Sequence, residues 1–169
     1  MVLSKEELLS ALRSEVRLLS HLASKVEPGM LSYRPSEKQR SLLELLQYLT
    51  VMPPVHLRGA MADRFDHASF GKIWNEHEAV AKTLDLDGIK ESIGKQNSLF
   101  EEVLGPCSDS KLREEFAMFG PPASRGSLIV SLLLSHYAAY RMQLFLYLKA
   151  AGCESLNTFN LWVGVDRSM

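Results

Sequence analysis

The sequence predicts an all-α protein, an antiparallel four-helix bundle. Three observations carry that prediction: two capping boxes, apolar residues recurring every three to four positions, and no alternating strand pattern of useful length before the C-terminal tail. The 169 residues suit one domain, 1–169, large enough to bury a core without disulfide or metal staples. A composition of 46% hydrophobic and 23% charged residues is that of a folded chain rather than a disordered one.

Ser4-Lys5-Glu6-Glu7 is the first capping box, in which a serine and a glutamate three residues on satisfy each other's backbone donors. Leu8, Leu12, Val16, Leu19, Leu22 and Val26 then form one apolar stripe, with Lys5, Arg13, Arg17 and Lys25 mainly outside it, and Pro28-Gly29 is the predicted stop. Residues 30–40 carry no stripe, and Arg34-Pro35 reads as an extended dipeptide in a connecting loop. Ser41-Leu42-Leu43-Glu44 opens the second helix, whose Leu45, Leu46, Leu49, Met52 and Val55 lead toward Met61. Pro53 and Pro54 remove two backbone donors, which predicts a kink or restart near Met52.

Residues 63–85 show no sustained period and read as a loop with short helical pieces. Asp87 is the predicted cap of a third helix through Leu104, with Ile89, Ile93, Phe100 and Val103 inward and Gly105-Pro106 as its stop. Residues 107–123 form a crossover between neighbouring helices. Ser124 or Ser127 caps the longest apolar helix, which runs through Ala151 to Gly152, a residue suited to the left-handed conformation that ends helices.

Nineteen basic and twenty acidic side chains give a formal charge of −1, so the chain has no net attraction for nucleic acid or an anionic membrane surface. The longest apolar stretch, residues 128–134, is interrupted by Ser131 and followed by Ser135, well short of the roughly 18 residues a membrane span needs. Cys107 and Cys153 form no C-x-x-C pair and follow no secretory leader, which predicts free thiols and a cytoplasmic location.

Two stretches carry a family resemblance. Leu31-Ser32-Tyr33-Arg34-Pro35, followed by Ser41-Leu42-Leu43-Glu44-Leu45-Leu46-Gln47-Tyr48-Leu49, resembles the x-x-R-P turn and S-x-x-E-x-x-x-H-L helix start of the DinB-like (YfiT-like) family. His136-Tyr137-Ala138-Ala139-Tyr140-Arg141-Met142-Gln143 resembles that family's late-helix H-x-x-x-H-R-x-Q. In element order the resemblance spans the chain from the first helix to Gly152. It implies a four-helix bundle holding a divalent metal, zinc or nickel, with one histidine from the second helix and two from the last. It further implies thiol-transferase or hydrolase chemistry, in which the metal polarises a substrate or lowers the proton affinity of a bound thiol or water.

This chain departs from the pattern at two of the three positions: Tyr48 and Tyr140 stand where histidines belong, and His136 remains. A phenol must lose a proton of pKa about 10 before it binds a metal well, whereas a neutral imidazole is ready near pH 7. No cofactor is therefore expected, with a zinc or nickel ion at His136 as the alternative. His136 is expected instead to hydrogen-bond Tyr48 or Tyr140.

His56 lies eight residues after Tyr48, on roughly the same helical face, and could substitute for a missing ligand if the Pro53-Pro54 break leaves that face intact. Arg141 and Gln143, beside the motif, can bind a ligand's carboxylate or pair with Glu44 or another carboxylate of the bundle. His67 and His77 lack partners at ligand spacing, and Cys107 and Cys153 lack a histidine motif that would activate a thiol. The tail, residues 156–169, carries Phe159, Leu161, Trp162 and Val163, an apolar cluster expected to pack on the bundle or on a second subunit of a homodimer. The sequence thus predicts a DinB-like bundle that is non-catalytic or binds a small ligand, with a metal-dependent thiol transferase or hydrolase around His136 as the alternative.

Overall fold

Both capping boxes form, and they set the starts of two of the bundle's helices. The computed structural model describes residues 3–167. Helix α1, Lys5–Ala23, begins where Ser4 Oγ accepts the Glu7 N–H at 3.2 Å and Glu7 Oε2 accepts the Ser4 N–H at 2.7 Å. The helix ends at Ala23 rather than at Pro28-Gly29. The chain tightens after Leu22, where Lys25 N and Val26 N bond the carbonyls three residues back, and Pro28 instead opens a single 3-10 turn, Pro28–Met30.

Helix α2, Leu42–Met61, starts from the Ser41–Glu44 box and runs through Pro53 and Pro54 as one helix, so of the expected kink or restart the restart does not occur. The reason is a tertiary repair. Pro53 has no N–H for the Leu49 carbonyl one turn back, and the buried Gln96 side chain donates its Nε2 to that oxygen at 2.8 Å. Gln96 Oε1 in turn accepts the hydroxyl of the fully buried Tyr137 at 2.5 Å.

Helix α3, His67–Ala81, occupies the stretch expected to be a loop, with Asp66 capping it through the Ser69 N–H at 2.7 Å. Its stripe is Phe70, Trp74, His77 and Ala81, of which only Ala81 is fully buried, because α3 packs on the outside of α2. Half-buried aromatic and polar residues make a weaker periodic signal than a leucine stripe, so the pattern does not stand out in the sequence.

The expected third helix is two, α4, Leu86–Gly94, and α5, Gln96–Leu104, joined at Lys95, and its cap is Asp85 rather than Asp87. Asp85 Oδ1 accepts the Gly88 N–H at 2.8 Å. Ile89, Ile93 and Phe100 face inward as expected, Val103 is half-buried, and the step at Lys95 puts Gln96 in the core beside Leu49.

The crossover is more structured than its sequence suggests, with a short helix α6, Asp109–Arg113, and an antiparallel pair of strands, β1, Glu115–Phe116, and β2, Ala123–Ser124. The loop between the strands buries Met118 against Gly59 of α2, where a Cβ would come within 2.8 Å of the Met118 methyl, the end of a side chain that would have to shift. Phe119 holds a left-handed φ of 63° with its ring 50% exposed.

Ser124 begins the last long helical run, α7, Arg125–Ile129, a π-helical turn, Val130–Leu134, and α8, Ser135–Ala150. Gly152 adopts φ 103°, the left-handed stop that the sequence predicts. Arg125 is buried, donates Nη1 to the Ala60 and Ala62 carbonyls at 2.7 and 2.9 Å, and thereby ties the crossover to the end of α2.

Helix α1 packs against α4, α5 and α8, and α2 against α4, α5, α7 and α8, which makes the architecture an all-α four-helix bundle with α3 added outside. The tail forms α9, Thr158–Trp162, and docks on α1 and α8 through Leu161, while Trp162 stays 58% exposed. The last two tail positions, Ser168 and Met169, lie outside the described residues. No described helix is long and apolar enough to cross a membrane.

Candidate functional site

Five aromatic side chains from three helices form a closed circuit. Tyr48 of α2 and Tyr140 of α8 lie 4.9 Å apart between ring centroids. Tyr140 is 6.0 Å from His136, His136 is 5.7 Å from His56, His56 is 5.7 Å from Trp74, and Trp74 is 5.7 Å from Tyr48. The structure therefore brings Tyr48, His136 and Tyr140 together and turns His56 inward beside them. Because α2 continues through its prolines, the eight-residue spacing from Tyr48 to His56 keeps both rings on one face.

The expected hydrogen bond from His136 to a phenol is replaced by others. His136 Nδ1 lies 2.7 Å from the Leu132 carbonyl in the preceding π turn; a carbonyl only accepts, so Nδ1 carries the proton and Nε2 keeps the lone pair. The π turn sits immediately before His136, a placement common at functional positions. His56 is 8% exposed, and its Nδ1 has no well-formed hydrogen bond, only a weak pull from the Met52 carbonyl. Burial, reinforced by the neighbouring His136, pushes the His56 pKa down to about 4, so this imidazole is neutral at pH 7. Burial, followed by the bond to Tyr140, pushes the Tyr48 phenol well above its ordinary value.

These residues do not fit the metal that the resemblance implies. A zinc or nickel site takes imidazole, thiolate or carboxylate donors, and here two imidazoles face two phenols, of which Tyr48 holds its proton more tightly than an ordinary phenol. Among the described residues no group of three or more His, Cys, Asp or Glu side chains could hold an ion.

Arg141 points elsewhere. Its Nε and Nη2 reach Glu15 at 2.8 and 3.2 Å, its Nη1 donates to the Leu161 carbonyl, and its guanidinium stacks 4.7 Å over Trp162, so it fastens α9 to the bundle. That outcome is pairing with a bundle carboxylate, Glu15 rather than Glu44. Gln143 donates to the Tyr147 hydroxyl at 2.8 Å and lines a separate groove with Tyr33 and Met142. His67 stacks on Phe65 at 4.8 Å, and Cys107 donates its thiol to the Val103 carbonyl at 3.2 Å.

The circuit opens on one side into a cleft of about 440 Å³, between the 34–40 loop, α2 and the end of α3, with Tyr48, Val51, Trp74 and Ala81 as its floor. Arg40 lies over Tyr48 with its guanidinium carbon 4.2 Å from the ring centroid. Sequence reasoning missed Trp74 and Arg40. The spacing of Phe70, Trp74, His77 and Ala81 is the signal that finds Trp74, whereas nothing local marks Arg40, since its ring partner is eight residues away across a helix start.

The fold defines a class: a helical bundle in which the second and last long helices pack together, the fold of DinB-like proteins. A DinB-like protein of Bacillus cereus superposes with a TM-score of 0.71 at 18% identity, over 90% of this chain and 95% of the other. The DinB-like protein YjoA of Bacillus subtilis does so with a TM-score of 0.66 at 19% identity, over 86% of this chain and 91% of the other. No protein-family model and no curated protein matches the sequence.

Proposed function

We propose that this chain is a DinB-like bundle that binds a small ligand near the Tyr48, His136 and Tyr140 positions, in the cleft that Tyr48 lines, without a metal. The single observation that supports the reading is the closed circuit of five rings, in which the two phenols that stand in for histidines pack on each other at the coordination positions. The cleft over Tyr48 and Trp74 has the volume of a small-molecule site. The protein acts as one domain in the cytoplasm, and the exposed, adjacent Trp162 and Val163 give it an apolar patch for pairing as a homodimer, which sedimentation analysis checks.

One observation favours a second reading, a metal-dependent thiol transferase or hydrolase: the His56 and His136 rings lie 5.7 Å apart, a possible pair of donors. Elemental analysis of untagged protein grown with added zinc and nickel separates the two. Far less than stoichiometric metal in both the parent and His136→Ala is the expected result. One equivalent in the parent that disappears in His136→Ala replaces the first reading by the second.

A further inference from the structure

The rim of the cleft has a charge pattern that the ring circuit does not explain. Two of its carboxylates are committed: Glu44 Oε2 accepts the Ser41 N–H at 2.6 Å and lies 3.3 Å from Arg34, and Glu78 pairs with Lys82 at 3.1 Å. Among the described residues Arg40, Lys38 and Glu37 form no ion pair, which leaves two cations against one carboxylate around a cleft of about 440 Å³. The floor is apolar: the half-buried Trp74 ring packs against Val51 and Ala81, each 2% exposed.

Arg40 is arranged to receive a carboxylate. Its guanidinium carbon sits over the Tyr48 ring, 4.2 Å from the centroid, and with no carboxylate among the described residues paired to it the fork of N–H groups can give an incoming carboxylate two hydrogen bonds at once. Stacking on a ring also removes part of the guanidinium's freedom before any ligand arrives, which lowers the ordering cost of binding. A cationic ligand meets the opposite situation, because Arg40 already covers Tyr48 and Lys38 stands on the rim.

We propose that this cleft binds a small planar aromatic carboxylate, its ring lying against Trp74 and its carboxylate held by Arg40. Lys38, exposed like Arg40 but with no ring among the described residues beneath it, adds attraction at the mouth rather than a fixed contact. The proposal names a ligand class for the site of the preceding subsection and rests on that reading.

The test uses the full chain, 15N-labelled, with the indole N–H signals of Trp74 and Trp162 assigned by Trp162→Phe. The probes are 2-naphthoate, the neutral 2-naphthamide and the cationic 2-naphthylmethylammonium. The expected result is a saturable shift of the Trp74 signal, with naphthoate binding at least about tenfold tighter than the amide, a difference the size of one charge-assisted hydrogen bond. Arg40→Gln is expected to remove that advantage while the amide binds as before. Equal affinity for the three probes, a shift confined to Trp162, or an Arg40→Gln protein that keeps the preference overturns the proposal. Metal bound at His136 sinks the reading above whatever the titration gives. A metal-free protein whose Trp74 ignores naphthoate sinks the ligand class alone.

Discussion

Replacing Gln96 by leucine strips the support from the helix that carries Tyr48 and His56. The amide does two tasks in a dry environment: its Nε2 satisfies the Leu49 carbonyl orphaned by Pro53, and its Oε1 accepts the Tyr137 hydroxyl. Leucine fills the space but leaves both groups buried and unpaired. Each such group costs about 1–3 kcal/mol, so, after crediting the apolar gain, Gln96→Leu is expected to cost about 2–4 kcal/mol. For a chain of this length each kcal/mol lowers Tm by roughly 2–4 °C, which makes the drop about 5–15 °C.

Urea unfolding followed by circular dichroism measures the free energy, and a cycle with Pro53→Ala tests the cause. Alanine at position 53 restores the N–H that the Leu49 carbonyl lacks, so Gln96→Leu in the Pro53→Ala background is expected to cost less by about 1 kcal/mol or more. Equal cost in both backgrounds refutes the repair, and a Gln96→Leu protein within about 0.5 kcal/mol of the parent refutes the importance of the whole relay.

Two further predictions follow from buried charge and buried imidazole. The folded state holds His56 neutral down to about pH 4; since the unfolded chain takes up the proton near pH 6.5, stability falls as pH drops through that window, by up to about 3 kcal/mol for the full shift. His56→Phe should flatten that slope in urea melts between pH 7 and 4.5, and an unchanged slope means that another group carries it, with His21, whose pKa burial also lowers, the first to check. Arg141→Met leaves Glu15 charged and nearly buried without its partner and the Leu161 carbonyl without its donor. The expected loss is about 3 kcal/mol in thermal unfolding, with naphthoate binding at Trp74 retained, and a stable variant that loses binding contradicts the structural role of Arg141.

Local chemistry made much of the architecture legible from the sequence. Ser4–Glu7 and Ser41–Glu44 are complete signals within four residues, and Leu8 to Leu22 announce their own face, so helix starts and the all-α class required nothing distant. Gly152 marked a helix end for the same reason: its left-handed φ is a property of one residue. Tyr48, His136 and Tyr140 could be picked out by motif, and their position in the sequence already argued that a metal there would be short of donors.

Tertiary structure decided what depends on neighbours far along the chain. The continuity of α2 rests on Gln96, which is 47 residues from the carbonyl it repairs, so no reading of Pro53-Pro54 alone could give it. The inward turn of His56 follows from that continuity. Helix α3 stayed hidden because it is covered on only one side by α2, and a helix that buries little needs few apolar residues. The partner of Arg141 was open for the same reason: charge is visible in a sequence, but which carboxylate comes within reach is fixed only when α1, α8 and α9 pack together, and packing, unlike capping, is a relation between distant residues.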